Sequence, residues 1–195
     1  MALSIMQVGK ESLGEYSEVP IAFEVKSVLR TERARGGLGG LTLTEAPVDQ
    51  PYVKDYDDSP EGGPLRWTEK FDLSNWGIFI GYDGASPVCG ATVAFDTPGV
   101  HMLAGRSDLA VLWDIRVLPG MRRSGIGAKI FARAADWARG RGAARMKIET
   151  QNINVPACRF YLSQGCRLGE INLHAYANDP AVAHETMLVW YLDLR

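Results

Sequence analysis

Trp113-Asp114-Ile115-Arg116-Val117-Leu118-Pro119-Gly120-Met121-Arg122-Arg123-Ser124-Gly125-Ile126-Gly127-Ala128-Lys129-Ile130 joins a β-branched run, a tight Arg/Gly turn and the start of an amphipathic helix without a break. That order builds an anion pocket at a helix N-terminus, where backbone N–H groups and the positive end of the helix dipole converge on a phosphate. Gly125 and Gly127 lack a Cβ and are free to take turn conformations there, and Arg122 and Arg123 add charge beside them. From Gly127 onward, Ile130, Phe131, Ala134, Trp137 and Ala138 recur at helical spacing, while Lys129, Arg133, Asp136 and Arg139 fall largely on the other side. Gly140 and Gly142 terminate that helix.

Two familiar phosphate motifs fail on spacing. Gly120 and Gly125 are separated as in a Walker A pair, but Ile126 and Gly127 occupy the positions which that motif gives to Lys and to Ser or Thr. Gly125-Ile126-Gly127 opens like a dinucleotide fingerprint, yet Ile130 stands at the third glycine and the turn sits mid-chain.

Further along, Lys147-Ile148-Glu149-Thr150-Gln151-Asn152-Ile153-Asn154-Val155-Pro156-Ala157-Cys158-Arg159-Phe160-Tyr161 leads into a Gly165-containing turn. Met146 to Thr150 alternates as a strand, Pro156 suits the first turn of a helix, and Gly165 stops that helix after roughly two to three turns.

The surviving pattern, Arg-x-x-Gly-x-Gly after a strand ending Val117-Leu118-Pro119, resembles the acyl-coenzyme A binding motif of the GCN5-related N-acetyltransferase (GNAT) family. The 147–169 segment is similar to that family's second signature. The resemblance runs from about Leu109 to the C-terminus. It implies acetyl-CoA as cofactor, with its pyrophosphate on the backbone and side chains of Arg122, Arg123, Ser124, Gly125, Ile126, Gly127 and Ala128, and further donor contacts at Ile115, Val117 and Ala157. It also implies that Asn154 meets the pantetheine arm and that Tyr161 lies near the thioester sulfur as general acid. The implied fold is a single α/β domain over residues 1–195, a central mixed, mostly antiparallel sheet flanked by helices. Within the family the similarity is to the streptothricin acetyltransferase branch, on Trp113–Val117, Glu149–Asn154 and the tail Ala183-His184-Glu185 leading to Trp190-Tyr191.

Acetyl transfer from a thioester to an amine needs a neutral amine, a held carbonyl and a protonated leaving sulfur. An alkylamine has a pKa of about 10.4, so a carboxylate or a water chain must take its proton. Asp114 and Glu149 both sit on strands beside the donor motifs and are the candidate bases or amine anchors. Each also has a plain structural reading: Asp114 shares a face with Arg116, and Glu149 shares one with Lys147. The family resemblance also implies that a backbone N–H near Val117 polarises the acetyl carbonyl. On the acceptor side, Glu45, Asp49, Asp55, Asp57, Asp58 and Glu61 crowd a region that includes Tyr52, Tyr56 and Trp67. Asp55, Tyr56 and Trp67 are the candidate substrate contacts, because an acidic loop with aromatic rings attracts a cationic amine. The structural reading of the same residues is a solvated acidic loop.

Composition narrows the field. A chain of 195 residues, 46% of them apolar, buries one substantial core, so one domain is expected. A formal net charge of −2 and the lack of interleaved basic and aromatic residues argue against nucleic acid as a partner. No basic segment precedes a short apolar run at the start and no run of eighteen apolar residues occurs, so a soluble, cytoplasmic chain off the membrane is expected. Cys89, Cys158 and Cys166 lack metal-type spacing, and His101, His174 and His184 lack ligand spacing; no metal site is expected and the thiols read as reduced and mostly buried.

Ile78–Tyr82 and Val88–Phe95 flank Asp83-Gly84 as a hairpin, Leu109–Val117 supplies a third strand, and Thr186–Leu192 alternates again. Pro20–Arg30 fits both strand and helix, and Gly36–Gly40 is a flexible connector. The expected activity is acetylation of a primary amine on a small cationic substrate such as a streptothricin-like antibiotic. The alternatives are a polyamine or a protein amine as acceptor, or a non-catalytic acyl-CoA sensor. Pairing of tail strands into a homodimer is left open by the residues.

Overall fold

Residues 3–58 and 62–195 are described by a computed structural model; Glu61, counted above in the acidic region, lies outside the described residues. In chain order the elements are β1 (Leu3–Val8), α1 (Leu13–Ser17), β2 (Phe23–Arg33), β3 (Leu41–Lys54), α2 (Trp67–Lys70), β4 (Gly77–Asp83), β5 (Ser86–Phe95), β6 (Leu109–Val117), α3 (Ile126–Gly140), β7 (Arg145–Gln151), α4 (Val155–Ser163), β8 (Arg167–Asn172) and β9 (Met187–Asp193). This is the α/β class expected. Two compact units form, one of residues 1–22, 55–148 and 191–195, the other of residues 23–54 and 149–190, so that β7 and β9 contribute residues to both.

In the first unit, β1, β4, β5 and β6 are antiparallel neighbours in that order. β6 then pairs in parallel with β7, from Leu109↔Arg145 to Leu112↔Ile148, which makes the sheet mixed. The β4–β5 hairpin is present, with its turn one residue beyond the expected Asp83-Gly84: Asp83 ends β4 and pairs with Ser86, and Gly84, at φ +63°, turns the chain with Ala85. α3 packs on β4, β5 and β6 and buries Ile126, Ile130, Phe131, Ala134, Ala135 and Ala138. Each of its large apolar side chains contributes about 1.5–3 kcal/mol by leaving water. The charged positions Lys129, Asp136 and Arg139 stay exposed, as the periodicity requires. A second part of this core is aromatic: Tyr16, Trp67 and Trp76 are buried with Ile78, Ile80 and Val111, and Phe71 and Trp113 pack against them.

β6 is not regular. Thr92 faces Asp114 while the adjacent Val93 faces Leu112, so Trp113 is an extra residue in the strand. Such a bulge bends the strand and re-aims its side chains. Trp113 accordingly leaves strict alternation and packs edge-on to Phe71 and tilted against Trp76, at centroid distances of 5.1 and 5.3 Å.

In the second unit, β2 and β3 form a long antiparallel hairpin, and β9 stands between β7 and β8. Pro20–Arg30, ambiguous in sequence, becomes strand from Phe23 onward, because its partner β3 supplies ladder bonds that a helix would forgo. Gly36–Gly40 turns this hairpin, with Gly36, Gly37 and Gly40 at positive φ. Glu45 and Asp49 therefore lie on strand β3 rather than on the acidic loop read from composition. β3 carries Pro47 and Pro51; an edge position tolerates proline because its N–H is not needed by a neighbour. α4 starts with Pro156 in its first turn and Gly165 follows it at φ +83°, as expected. No helix among the described residues is long and apolar enough to cross a membrane.

Candidate active site

The turn from Arg122 to Gly125 is held by its own side chains. Arg122 Nε donates to Val117 O at 2.9 Å, and its Nη2 donates to Ala22 O at 2.8 Å and to Pro20 O at 3.5 Å. Burial lowers the pKa of this guanidinium from its ordinary value. Its positive charge thus stays beside the turn while its hydrogen bonds are occupied by carbonyls. Ser124 Oγ donates to Met121 O at 2.5 Å. Arg123 and Gly125 both take positive φ, +64° and +86°, and Gly125 is the N-cap of α3 with no side-chain cap bond. Gly127, read as a second turn glycine, lies inside the first turn of α3, so the special backbone geometry rests on Gly125. Ile126, Gly127 and Ala128 are the first residues of this helix, and no acidic residue occupies its first turn. The N-terminal N–H groups and dipole of a helix of this length favour an anion.

Asp114 proves to be the partner of Arg116. Oδ2 accepts from Arg116 Nη2 at 2.7 Å, and Oδ1 accepts from Arg116 Nε at 2.9 Å and from the Tyr16 hydroxyl at 2.5 Å. Arg116 Nη1 donates to Val19 O at 3.0 Å and to Asp57 Oδ2 at 2.9 Å, and its Nη2 also reaches Asp57 Oδ1 at 3.2 Å. All the guanidinium donors have acceptors. The Arg116 side chain is fully buried, that of Asp114 is 7% exposed and that of Asp57 is 30% exposed. Burial alone would lower the Arg116 pKa; the Asp114 charge and its hydrogen bonds outweigh it, and the net direction is upward. Burial, and then the Asp114 carboxylate, push the Tyr16 hydroxyl well above the usual phenol range. Tyr16 fits because residue 90 is glycine: a Cβ there would come within 2.5 Å of Tyr16 Cε2.

Ile115 and Val117 follow Asp114 on β6, paired with Ala91 and Cys89. Among the substrate candidates, Asp55 Oδ1 accepts from the Asp57 N–H at 3.0 Å, which fixes the turn that also carries Tyr56. Trp67 is 6% exposed and packs against Tyr16 and Trp76 at 5.7 and 6.2 Å, so it is part of the aromatic core. The bonds from Arg116 to Asp57 and from Tyr16 to Asp114 had no local sequence signal, since the partners are far apart in the chain.

In the second unit, Asn154 caps α4 by accepting the Ala157 N–H at 3.1 Å. Asn154 and Ala157 are thereby joined by one bond, with the Asn154 side chain serving the helix. Tyr161, 5% exposed, lies on α4 with its ring 6.4 Å from that of Trp190 on β9. Glu149 Oε1 accepts from the Tyr176 hydroxyl at 2.7 Å, and that hydroxyl accepts from Gln151 Nε2 at 2.7 Å. Tyr176 was not a sequence candidate. Asn152 fixes the start of β9 to β2: its Oδ1 accepts from Thr186 N at 2.8 Å and its Nδ2 donates to Leu29 O at 3.0 Å. Glu185, 4% exposed, is paired with Lys54 Nζ at 2.7 Å.

Comparison with known proteins bears on this arrangement. The Acetyltransferase (GNAT) family profile matches residues 43–166. A streptothricin acetyltransferase of Escherichia coli is 28% identical over 181 residues, covering 93% of this chain and 91% of that protein. The crystal structure of nourseothricin acetyltransferase superposes with a TM-score of 0.76 at 23% identity, over the full length of both chains. A structure from Bacillus anthracis strain Ames, in complex with acetyl coenzyme A, also gives 0.76 at 23% identity and covers 98% of this chain and 99% of that one.

Proposed function

Because this chain belongs to the GNAT family of acetyltransferases, we propose that it moves the acetyl group of acetyl-CoA, by direct attack, onto a primary amine of a small cationic substrate of the streptothricin type. The observation that carries the donor assignment is the turn ahead of α3: two positive-φ residues within three, an uncapped helix N-terminus and a resident Arg122 charge. Such a turn suits a pyrophosphate. Substrate class follows the relatives, among them the E. coli streptothricin acetyltransferase, together with the Asp55–Asp58 turn as an acidic entry. The chain acts in the cytoplasm on this reading.

In the proposed chemistry, Arg122–Ala128 hold the pyrophosphate, with Arg122 acting through charge and its neighbours through backbone N–H groups. Asn154 and Ala157 attend the pantetheine arm, and β6 residues Ile115 and Val117 attend the acyl end. Tyr161 protonates the departing thiolate. Between the two carboxylates, Glu149 is the proposed amine anchor or base; its Oε1 accepts from the Tyr176 hydroxyl. Both Asp114 oxygens are held in hydrogen bonds by a buried guanidinium, which commits them to the cluster rather than to a substrate amine. Asp55 and Tyr56 are the proposed substrate contacts; Trp67 supports them from the core.

A panel of amines tested with acetyl-CoA, read by thiol release, tests the assignment. A streptothricin should be turned over with the highest kcat/KM, ahead of polyamines and of peptide amines. Silence across the panel while acetyl-CoA still binds would leave a sensor module instead.

A further inference from the structure

Among the described residues, three buried side-chain polar atoms lack a hydrogen-bond partner: Thr31 Oγ1, Thr92 Oγ1 and Trp190 Nε1. The two hydroxyls rotate and both donate and accept, so small movements satisfy them. An indole N–H only donates, in a direction fixed by the ring. Leaving it buried and unpaired is costly, and buried polar groups are paired in the great majority of cases. Trp190 is 6% exposed and lies in β9 after the buried Leu188 and Val189, a place where phenylalanine would give much of the same packing without an orphan donor. Its ring stands 6.4 Å from the ring of Tyr161.

We propose that the Trp190 indole N–H binds a carbonyl oxygen of the acyl-thioester donor beside Tyr161. The inference rests on the reading of the chain as an acetyl-CoA enzyme with Tyr161 at the thioester. Two acceptors share the required chemistry, the thioester carbonyl and the amide carbonyls of the pantetheine arm. Trp190 is then a donor-binding residue: the N–H remains orphaned in the free chain and acquires its acceptor on binding. Free energy otherwise lost on an unpaired group becomes differential affinity for a ligand with an oxygen at that point.

Trp190→Phe removes the N–H and keeps an aromatic ring. Its unfolding midpoint without ligand should equal or exceed that of the parent chain, and its affinity for acetyl-CoA by calorimetry should fall about tenfold. A loss with both CoA and acetyl-CoA assigns the acceptor to pantetheine; a loss with acetyl-CoA alone assigns it to the thioester. Unchanged affinity for both ligands overturns the proposal. Should the variant fail to fold, the parent chain decides: with five tryptophans, it gives five indole N–H signals in a nitrogen-15 correlation spectrum. The assigned Trp190 signal should move downfield at saturating acetyl-CoA, and an unmoved signal refutes the contact. If the parent chain binds neither ligand, the acetyl-CoA reading itself has failed, and this inference falls with it.

Discussion

Replacing Arg116 with methionine tests the buried ionic cluster behind β6. The substitution removes two bonds to Asp114, two to Asp57 and one to Val19 O, and leaves an Asp114 side chain only 7% exposed with the Tyr16 hydroxyl as its remaining partner in the cluster. Breaking a buried pair on one side typically costs about 3–5 kcal/mol, because a charge is left out of water without compensation. For a chain of this size, that loss lowers the melting temperature by about 6–20 °C. The double variant Asp114→Asn with Arg116→Met removes both charges, and should recover a large part of the loss. Urea unfolding followed by tryptophan fluorescence reads both, since Trp67 packs directly on Tyr16. A loss below about 1 kcal/mol for Arg116→Met, the range of an exposed pair, would refute the claim that the cluster is a desolvated anchor. So would a double variant less stable than the single one.

Other outcomes are expected. Gly125→Ala forces a Cβ into φ +86°, where nothing crowds it sterically within 4 Å, so it should cost about 1–2 kcal/mol in unfolding free energy through backbone strain alone; Gly125→Asn should cost less. Asn154→Ala loses the α4 cap and should destabilise by about 1 kcal/mol, measured by denaturant titration. Tyr161→Phe should keep acetyl-CoA affinity and lower kcat about a hundredfold, and equal turnover would remove the phenol from the mechanism. Burial raises Cys89 and Cys166 to about 11 and Cys158 to about 12, and pushes Tyr16 well above its ordinary range. Acids with folded pKa values above the unfolded ones of about 8.5 and 10 give stability that is full below those values and lost as pH rises through the folded ones. The urea midpoint should therefore fall progressively above about pH 8.5, and the native thiols should resist a thiol reagent at neutral pH; a midpoint constant to pH 11 would contradict this.

Local chemistry explains what the sequence revealed. The α3 stripe, the β4–β5 hairpin, the Pro156 start and the Gly165 stop each depend on residues within a few positions, and all four are present. The Trp113 bulge was hidden because it is a mismatch between two strands, Thr92↔Asp114 beside Val93↔Leu112, rather than a property of either. β3 carries Pro47 and Pro51, which a single-sequence reading treats as strand breakers. At the candidate site, the turn ahead of α3 was readable because Gly125, at positive φ just before the helix, is a local feature of the sequence. The alternatives for Asp114 could be separated only by seeing Tyr16 and Asp57 arrive from distant segments, and Tyr176 emerged as the Glu149 partner for the same reason. Trp67 looked like a substrate ring because composition records an aromatic residue near acids, whereas packing against Tyr16 and Trp76 decides its burial.

Mass spectrometry of the product formed from a streptothricin and acetyl-CoA tests the central claim most directly. The account predicts one added acetyl group on a primary amine, formed with one equivalent of free coenzyme A and dependent on the chain. Free coenzyme A without an acetylated amine, or an unmodified antibiotic in the presence of bound acetyl-CoA, would contradict it.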